Sequence, residues 1–472
     1  RGAGPDGPRA YDAFYERQEG EMLEVVTRDG YRLKVTPDHG LDVWSPKASG
    51  FVRVDAADIK PGHILRLRLG VTCDPKIGPT LSSPPVPDVR ARRYRFPGTV
   101  TSELAEFLGL MVADGTVWDS GFRLAKRHRD VRDRFAFLCD ELFGARVRLY
   151  EFNHAFAAEV CSTEIVSWLR RIGGVEPGEK AVPECVLRSP SSIHAWFLRG
   201  LFEDGSVHLR CGTIDHIEWS SVYPELRQAV RTMLLRLGII TGGTPRYPER
   251  VYVYGQNAVR FSQRVGFVSK FKNDRLAHPA GDETRYSLPL SRSEAVAVSR
   301  FVSLGVMHPS TGQNIRRLHR ISRHAAEQVL ASRCVGEESC AEDLLLRDRL
   351  GWHYSEVREV VRTTGPSMCL AVHDGHRFLQ NGISGWNSQG SEWPWVVIAI
   401  HPGHGFPLLR REVLYTAFTR GRLGVVLVGP AKTIELASRM VMGNKRRTGL
   451  GPLLRGEEST ERRGQTAMDL DE

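Results

Sequence analysis

The stretch NGISGWNSQGSEWP (residues 381–394) changes character between Asn387 and Ser388. An Asn followed by a Ser offers unusual backbone chemistry. The side-chain amide nitrogen can attack the residue's own carbonyl carbon, close a five-membered succinimide and release the next residue. Unaided, the step is slow, because the amide is a poor nucleophile and the peptide amine a poor leaving group. An ester on the Ser hydroxyl and a proton-donating His accelerate it. An isolated Asn-Ser pair is an ordinary turn dipeptide, so its surroundings decide.

Downstream of Ser388, WVVIAI, LLRREVLYTAFTRGR and GVVLVG read as strand, helix and strand of a βαβ unit. Upstream, short strands are expected from Gly351 to Asn387. Near the start, MLEVVTRDGYRLKVT (22–36) reads as two strands about Asp29-Gly30, a pair suited to the positive backbone angles of a tight hairpin. VDAADIKPGHIL reads as a turn leading into another strand. Residues 1–20 are Gly/Pro-rich and read as loose, and 71–97, rich in Pro, Ser and Arg, as a boundary. Helical spacing begins at Thr101 and Ser102, a candidate N-cap. Helices and strands alternate to about residue 275. Residues 312–330 follow a basic helix pattern, and the charged last 30 residues read as disordered.

With 472 residues, three or more domains are expected. The net charge of +10 favours an acidic partner, most commonly nucleic acid. Eight cysteines include no C-x-x-C pair, so there is no zinc signature and no disulfide framework, which fits a reducing cytoplasm. No apolar run approaches the roughly 20 residues of a membrane helix, and the N-terminus lacks the apolar region of a signal peptide.

VHDGHRFLQNGISGWN (372–387) resembles the C-terminal end of an intein, a self-splicing Hint domain, with His376, Phe378, Asn381, Gly382, Asn387 and Ser388 at the matching positions. Far upstream, VTPDHGLDVW carries Thr36 and His39, which resemble the T-x-x-H block that polarises the N-terminal scissile amide. The resemblance implies Asn cyclisation at Asn387 and Ser388 as the nucleophile that follows it. Two departures stand out. Trp386 replaces the usual His before the terminal Asn, and an indole donates a hydrogen bond but does not shuttle a proton, so His376 is expected to carry more of the cyclisation. The first intein block, with its Cys, Ser or Thr nucleophile, is expected to be missing before Thr36, so that the chain as written cleaves at Asn387 without ligating two flanks.

LAEFLGLMVADGTV (104–117) and HAWFLRGLFEDGSV (194–207) are two copies of one pattern, an apolar helix ending in Asp-Gly. They resemble the paired motifs of LAGLIDADG homing endonucleases, of the DOD type. The resemblance implies that Asp114 and Asp204 sit side by side at the ends of two closely packed helices and hold Mg²⁺ at the scissile phosphates of double-stranded DNA. Gly115 and Gly205 would stop the helices. EKAVPECV resembles the family's K-x-I-P block, in which Lys180 would contact the active-site water or a phosphate, and MLLRLGIITGGTP (233–245) resembles its L-G-I block. One departure matters here too: Gly109 precedes Asp114 by five residues, but Gly200 precedes Asp204 by four. A one-residue change rotates a helix face by about 100°, which would put Arg199 at the close-packing position or mis-aim Asp204. Three basic runs, RARRYRF (90–96), RLAKRHRDVRDR (123–134) and NIRRLHRISRH (314–324), are expected to line a DNA groove.

SQGSEWPWVVI and LLRREVLYTAFTRGRLGVVLVG resemble the last two motifs of RecD/UvrD-type helicases. On that resemblance Arg420 reaches the ATP γ-phosphate, while Gln389, Gly390 and Glu392 couple ATP to single-stranded DNA. No G-x-x-x-x-G-K-[ST] loop is present, so this segment would not hydrolyse ATP alone.

The expected fold is multidomain. An all-β, horseshoe-like Hint domain (1–97 and 346–387) is split by an α+β endonuclease (98–275) and a helical, DNA-contacting accessory region (276–345). An α/β helicase fragment (388–445) and a disordered tail (446–472) follow. The expected function is autocatalytic splicing with a nested DNA-hydrolysing homing endonuclease, in a monomer. The rival reading is a fragment of a DNA helicase and ATPase, similar to exodeoxyribonuclease V alpha, carrying an inert intein passenger. A third is a basic DNA-binding protein without surviving catalysis.

Overall fold

The hairpin at Asp29-Gly30 anchors one edge of an eight-stranded sheet. Thr27 N–H donates to Tyr31 O at 2.9 Å, and Gly30 N–H to Thr27 O at 3.0 Å, with Gly30 at φ 89°. The computed structural model describes residues 2–3, 5–9, 11–70, 73–84, 94–152, 154–281, 285–302, 305, 307–332, 340–372, 377–386, 393–403, 411–418 and 421–440. They form two compact units, Arg1–Gln389 and Gly390–Glu472.

In the first unit the strand Tyr11–Thr27 runs antiparallel along Trp352–Val372, paired from Tyr11 opposite Val372 to Thr27 opposite Val357 with register shifts at Val357/Glu359, Gly365/Ser367 and Ala371/Val372. Residues 11–20 are therefore not loose. Apart from Gly20, the Gly and Pro of the terminus lie before Tyr11, and the partner strand satisfies the backbone beyond it. Instead of several short strands after Gly351, one strand of 21 residues precedes two short ones. The sheet order is Arg377–Gln380, Ile383–Trp386, Gly40–Ser45, Ile64–Arg68, Trp352–Val372, Tyr11–Thr27, Arg32–Val35, with Gly50–Asp55 paired to Gly40–Ser45. Its core includes Val25, Leu33, Leu41, Leu65, Leu67, Val357 and Ile383.

An α+β body lies between the two halves of this sheet in sequence. It contains one fold twice. A helix, Ser102–Asp114, precedes the strands Thr116–Trp118, Gly121–Lys126, Arg148–Phe152 and Ala155–Cys161. A second helix, Ser191–Leu201, precedes Ser206–Arg210, Thr213–Ser220, Gly242–Thr244 and Tyr247–Tyr254. In both sheets the strands lie in the order first, second, fourth, third. Thr101 caps the first helix as expected, its hydroxyl accepting from Leu104 N at 3.2 Å. The two helices meet at glycines. A Cβ on Gly109 would lie 2.1 Å from Phe197 O, and one on Gly200 2.3 Å from Glu106 O. Gly200, not Arg199, is the close-packing residue. Helix Pro224–Arg236 docks the body on the large sheet, where its Leu235 joins the sheet's core and Gln228 Oε1 accepts from Arg32 N at 2.9 Å.

Residues 285–350 fold around their own core of Leu288, Val298, Phe301, Ile315, Ile321 and Leu346, closed by Trp352 and Tyr354 of the long strand. The basic pattern over 312–330 is two helices, Pro309–Leu318 and Arg323–Ala331. His319 adopts a left-handed conformation (φ 50°) that ends the first, and Arg320–Ser322 pairs as a strand with Ser287–Pro289. In the second unit, Trp393–Ala399 and Gly421–Val428 pair in parallel, with helices Arg411–Phe418 and Ala431–Arg439, matching the βαβ expectation.

Gly109→Val forces a branched side chain into a backbone contact. A loss of about 1–3 kcal/mol is expected, read as a lower denaturant midpoint, with Asp114 displaced as well.

Candidate functional site

Two groups of residues singled out in the sequence come together at two places. At the first, Thr36 and His39 occupy the turn between Arg32–Val35 and Gly40–Ser45, where His39 N–H donates to Thr36 O at 3.0 Å. Trp386 pairs with Gly40 and Gly385 with Leu41, so the end of the strand before Asn387 lies beside His39. A Cβ on Gly385 would fall 2.7 Å from His39 Nε2. The imidazole is buried, packs edge-on against Phe378 at 5.7 Å, and has no hydrogen-bond partner for Nε2 among the described residues. Burial holds it neutral, with its pKa lowered to about 4. A neutral imidazole with a free ring nitrogen is suited to bonding a backbone group that enters the space. Asn387, Ser388, His376, Gln389, Gly390, Glu392 and Arg420 lie outside the described residues.

Asp42 was not anticipated. It is fully buried and gathers the strand that leads to the junction. Its Oδ2 accepts from Arg66 Nε at 3.0 Å and Nη2 at 2.6 Å and from Ser384 Oγ at 2.6 Å, while Oδ1 accepts from Trp386 Nε1 at 2.8 Å. Arg377 stacks over the Trp386 ring at 4.3 Å. The indole is thus a fixed donor to an internal carboxylate. The one signal in the sequence is an Asp in the apolar run GLDVW.

At the second place, Asp114 and Asp204 flank one ammonium. Lys126 Nζ is 2.8 Å from Asp114 Oδ2 and 3.8 Å from Asp204 Oδ1. Despite the residue missing from the second copy, Asp204 approaches the same ammonium as Asp114. The second helix ends at Leu201 and continues as a 3₁₀ turn, Phe202–Asp204. Five α-helical steps advance about 7.5 Å; one α step and three 3₁₀ steps also advance about 7.5 Å. The tighter turn carries Asp204 about 100° past Gly200, against about 140° for the first copy and about 40° for a continued α-helix. Burial raises the Asp204 pKa, and Lys126 opposes that shift.

Lys180 lies nearby, but its ammonium bonds the carbonyls of Met111 (3.3 Å), Ala113 (3.2 Å) and Gly115 (3.3 Å), at the negative end of the first helix. Burial lowers its pKa, against the pull of Asp114 and Asp204. Lys272 approaches Glu203 Oε2 at 3.4 Å, and Glu203 is otherwise held by Ser269 N at 2.9 Å. Lys126, Lys272 and Glu203 are the residues of this cluster that the sequence did not single out. Lys126 sat in a run assigned to a DNA groove. Part of that basic surface turns inward: Arg134 forks onto buried Glu106 at 2.9 and 3.1 Å, and buried Arg323 donates to Leu350 O at 2.9 Å. Residues 90–93 lie outside the described residues.

Residues 192–266 match the LAGLIDADG-like domain family and residues 383–428 the UvrD-like helicase C-terminal domain family. The chain is 25% identical over 288 residues to a DNA polymerase of Thermococcus hydrothermalis, covering 57% of this chain and 17% of that protein. It is 25% identical over 341 residues to a component of the A-type ATP synthase of Pyrococcus horikoshii, covering 67% and 34%. It is 26% identical over 313 residues to a component of the DNA gyrase of Mycobacterium kansasii, covering 61% and 55%. The chain thus spans between 17% and 55% of the length of these relatives. Among solved structures it is similar to the homing endonuclease I-DmoI, at 14% identity and a TM-score of 0.28, over 35% of this chain and 96% of that one. No described helix is long and apolar enough to cross a membrane.

Asp42→Ala leaves the Arg66 side chain, only 12% exposed, without its carboxylate, and a loss of about 3–5 kcal/mol is expected in denaturant unfolding. The pH response of His39 has a definite sign. Its folded pKa lies below its unfolded value, so the unfolded chain binds the proton first as the solution is acidified. The stability it contributes is complete above pH 6.5 and falls toward pH 4. His39→Asn should flatten the change in urea midpoint between pH 7 and 5; buried His194, also lowered to about 4, supplies part of the slope that remains.

Proposed function

We propose that the chain up to Asn387 is an intein-type splicing domain carrying a nested LAGLIDADG homing endonuclease, and that the chain from Ser388 belongs to an interrupted RecD/UvrD-type helicase. The observation that carries this reading is the placement of His39 against Gly385, two positions before Asn387, by strands from opposite ends of the first unit. The relatives support it. A polymerase, an ATP synthase and a gyrase, unrelated in named activity, each resemble a long stretch of this chain. An insert independent of its host's chemistry accounts for that.

In this reading Thr36 and His39 polarise the upstream scissile amide; its C–N bond breaks as the acyl group passes to Ser388 Oγ as an ester, and the hydroxyl proton ends on the departing amine. The Asn387 amide nitrogen then attacks its own carbonyl carbon and breaks the bond to the Ser388 nitrogen. That nitrogen leaves as an amine, protonated with the help of His376, and an O-to-N acyl shift restores the peptide. Asp42 holds Trp386, and so the backbone that enters Asn387, in one position.

In the endonuclease, the two carboxylates fit a divalent cation: they already converge on the Lys126 ammonium. Mg²⁺ bound there would stabilise charge at the scissile phosphate. Lys180 would hold the end of the first helix and contact the attacking water or a phosphate. Double-stranded DNA is the substrate, cut by hydrolysis of its phosphodiesters. Arg420, Gln389 and Glu392 would serve ATP and single-stranded DNA in the intact helicase.

Two measurements test the two halves. The expressed chain should yield a fragment beginning at Ser388 by intact mass spectrometry, and Asn387→Ala should abolish it; an uncleaved chain in both would reject the junction chemistry. On DNA carrying the uninterrupted host sequence, Asp114→Asn and Asp204→Asn should each slow Mg²⁺-dependent cleavage about a thousandfold, a rise of about 4 kcal/mol in the barrier.

A further inference from the structure

From Ser206 to His208 and from His216 to Ser220, on one side of an irregularity in the pairing at His208/Leu209, Val207, Ile217 and Trp219 point into the core, so alternate residues face outward. On that outward face His208 lies directly opposite His216, and Glu218 opposite Ser206. The two imidazoles stack with centroids 4.4 Å apart and planes 18° from parallel. His208, His216 and Glu218 each offer one ligand atom, and the three atoms lie within 4.8 Å of one another. No motif in the sequence singles these residues out.

We propose that His208, His216 and Glu218 bind a divalent transition ion of the Zn²⁺ class, at a site separate from Asp114 and Asp204. Two imidazoles and a carboxylate suit a borderline-soft ion held by three protein ligands with one open position. Hard Mg²⁺ prefers an all-oxygen set. The groups around the site are arranged for it. His216 Nδ1 is engaged by Asp215 Oδ2 at 2.6 Å, which leaves Nε2 as the nitrogen on the Glu218 side, 3.7 Å from Glu218 Oε2. A carboxylate behind an imidazole fixes its tautomer and strengthens it as a ligand. Glu218 is steadied by Arg250 at 3.2 Å, and His208 Nε2 meets the exchangeable hydroxyl of Ser206 at 2.8 Å. Partial desolvation by its neighbours, with His216 beside it, lowers the pKa of His208 and favours its neutral, ligating form. Ligands about 2.0–2.1 Å from a tetrahedral ion stand roughly 3.3 Å apart. The exposed His208 side chain need swing only about 1–2 Å to reach that spacing. Ion binding here does not depend on whether this face also receives DNA.

The test uses the full chain carrying Asp114→Asn and Asp204→Asn, which removes the other cation site, titrated with Co²⁺ as the probe. The expected result is one Co²⁺ per chain with visible d–d bands, displaced by Zn²⁺. His208→Ala, a change at an exposed side chain, should abolish the bands with the circular dichroism spectrum unchanged, and Asp215→Asn should weaken binding about 10–100-fold. The same stoichiometry and spectrum in His208→Ala would overturn the proposal. Thiolate charge-transfer bands would overturn it too, since they assign the ion to cysteines.

Discussion

The pairing of Tyr11–Thr27 with Trp352–Val372 is the constraint on which the first unit rests. It joins segments separated by most of the chain, and the stretch between Arg68 and Trp352 is looped out of one sheet. Polymer physics makes this cheaper than it looks. The entropy of closing a loop grows with the logarithm of its length, about 0.6 kcal/mol for each doubling. An insertion that folds on its own core costs less still, because its ends are held by its own structure. The large sheet can therefore carry both the α+β body and the region 285–350 while its own core, from Val25 to Ile383, stays intact.

Two charge clusters show opposite solutions to burying polar groups. Asp42 is sealed and saturated: each carboxylate oxygen has donors, and those donors fix a strand in place. Such a site confers position. Asp114 and Asp204 are half-exposed around the buried Lys126, and their surroundings raise one pKa while leaving solvent access. Such a site is open to exchange. The first fixes the strand that ends at Trp386, and the second leaves two carboxylates within reach of solvent.

Local chemistry made several elements legible in the sequence. Asp29-Gly30 needs the angles of a hairpin, Thr101 has a hydroxyl where a helix needs an acceptor, and the paired Asp-Gly helices announce a repeat. What stayed hidden is set by distant contacts. Nothing near Lys126 in the chain tells that its ammonium turns inward to two carboxylates, because a basic run has the same composition whether it faces solvent or a core. Asp42 looked like a flaw in an apolar strand until Arg66, Ser384 and Trp386 arrived from elsewhere. The break at His319 escaped because helical spacing continues through it, while the pairing of Arg320–Ser322 with Ser287–Pro289 overrides the local preference. The strand residues 11–20 were obscured by their neighbours' glycine and proline.

The turn from Gly200 to Asp204 carries an evolutionary consequence. A chain can lose a residue from the end of a helix and keep its reach by tightening the pitch, whereas the same deletion before Gly200 would swing that glycine away from Gly109. Deletions at such termini are tolerated where deletions a turn earlier are not. What the fold fixes between two such points is a length in space, and a tighter pitch meets it with one residue fewer.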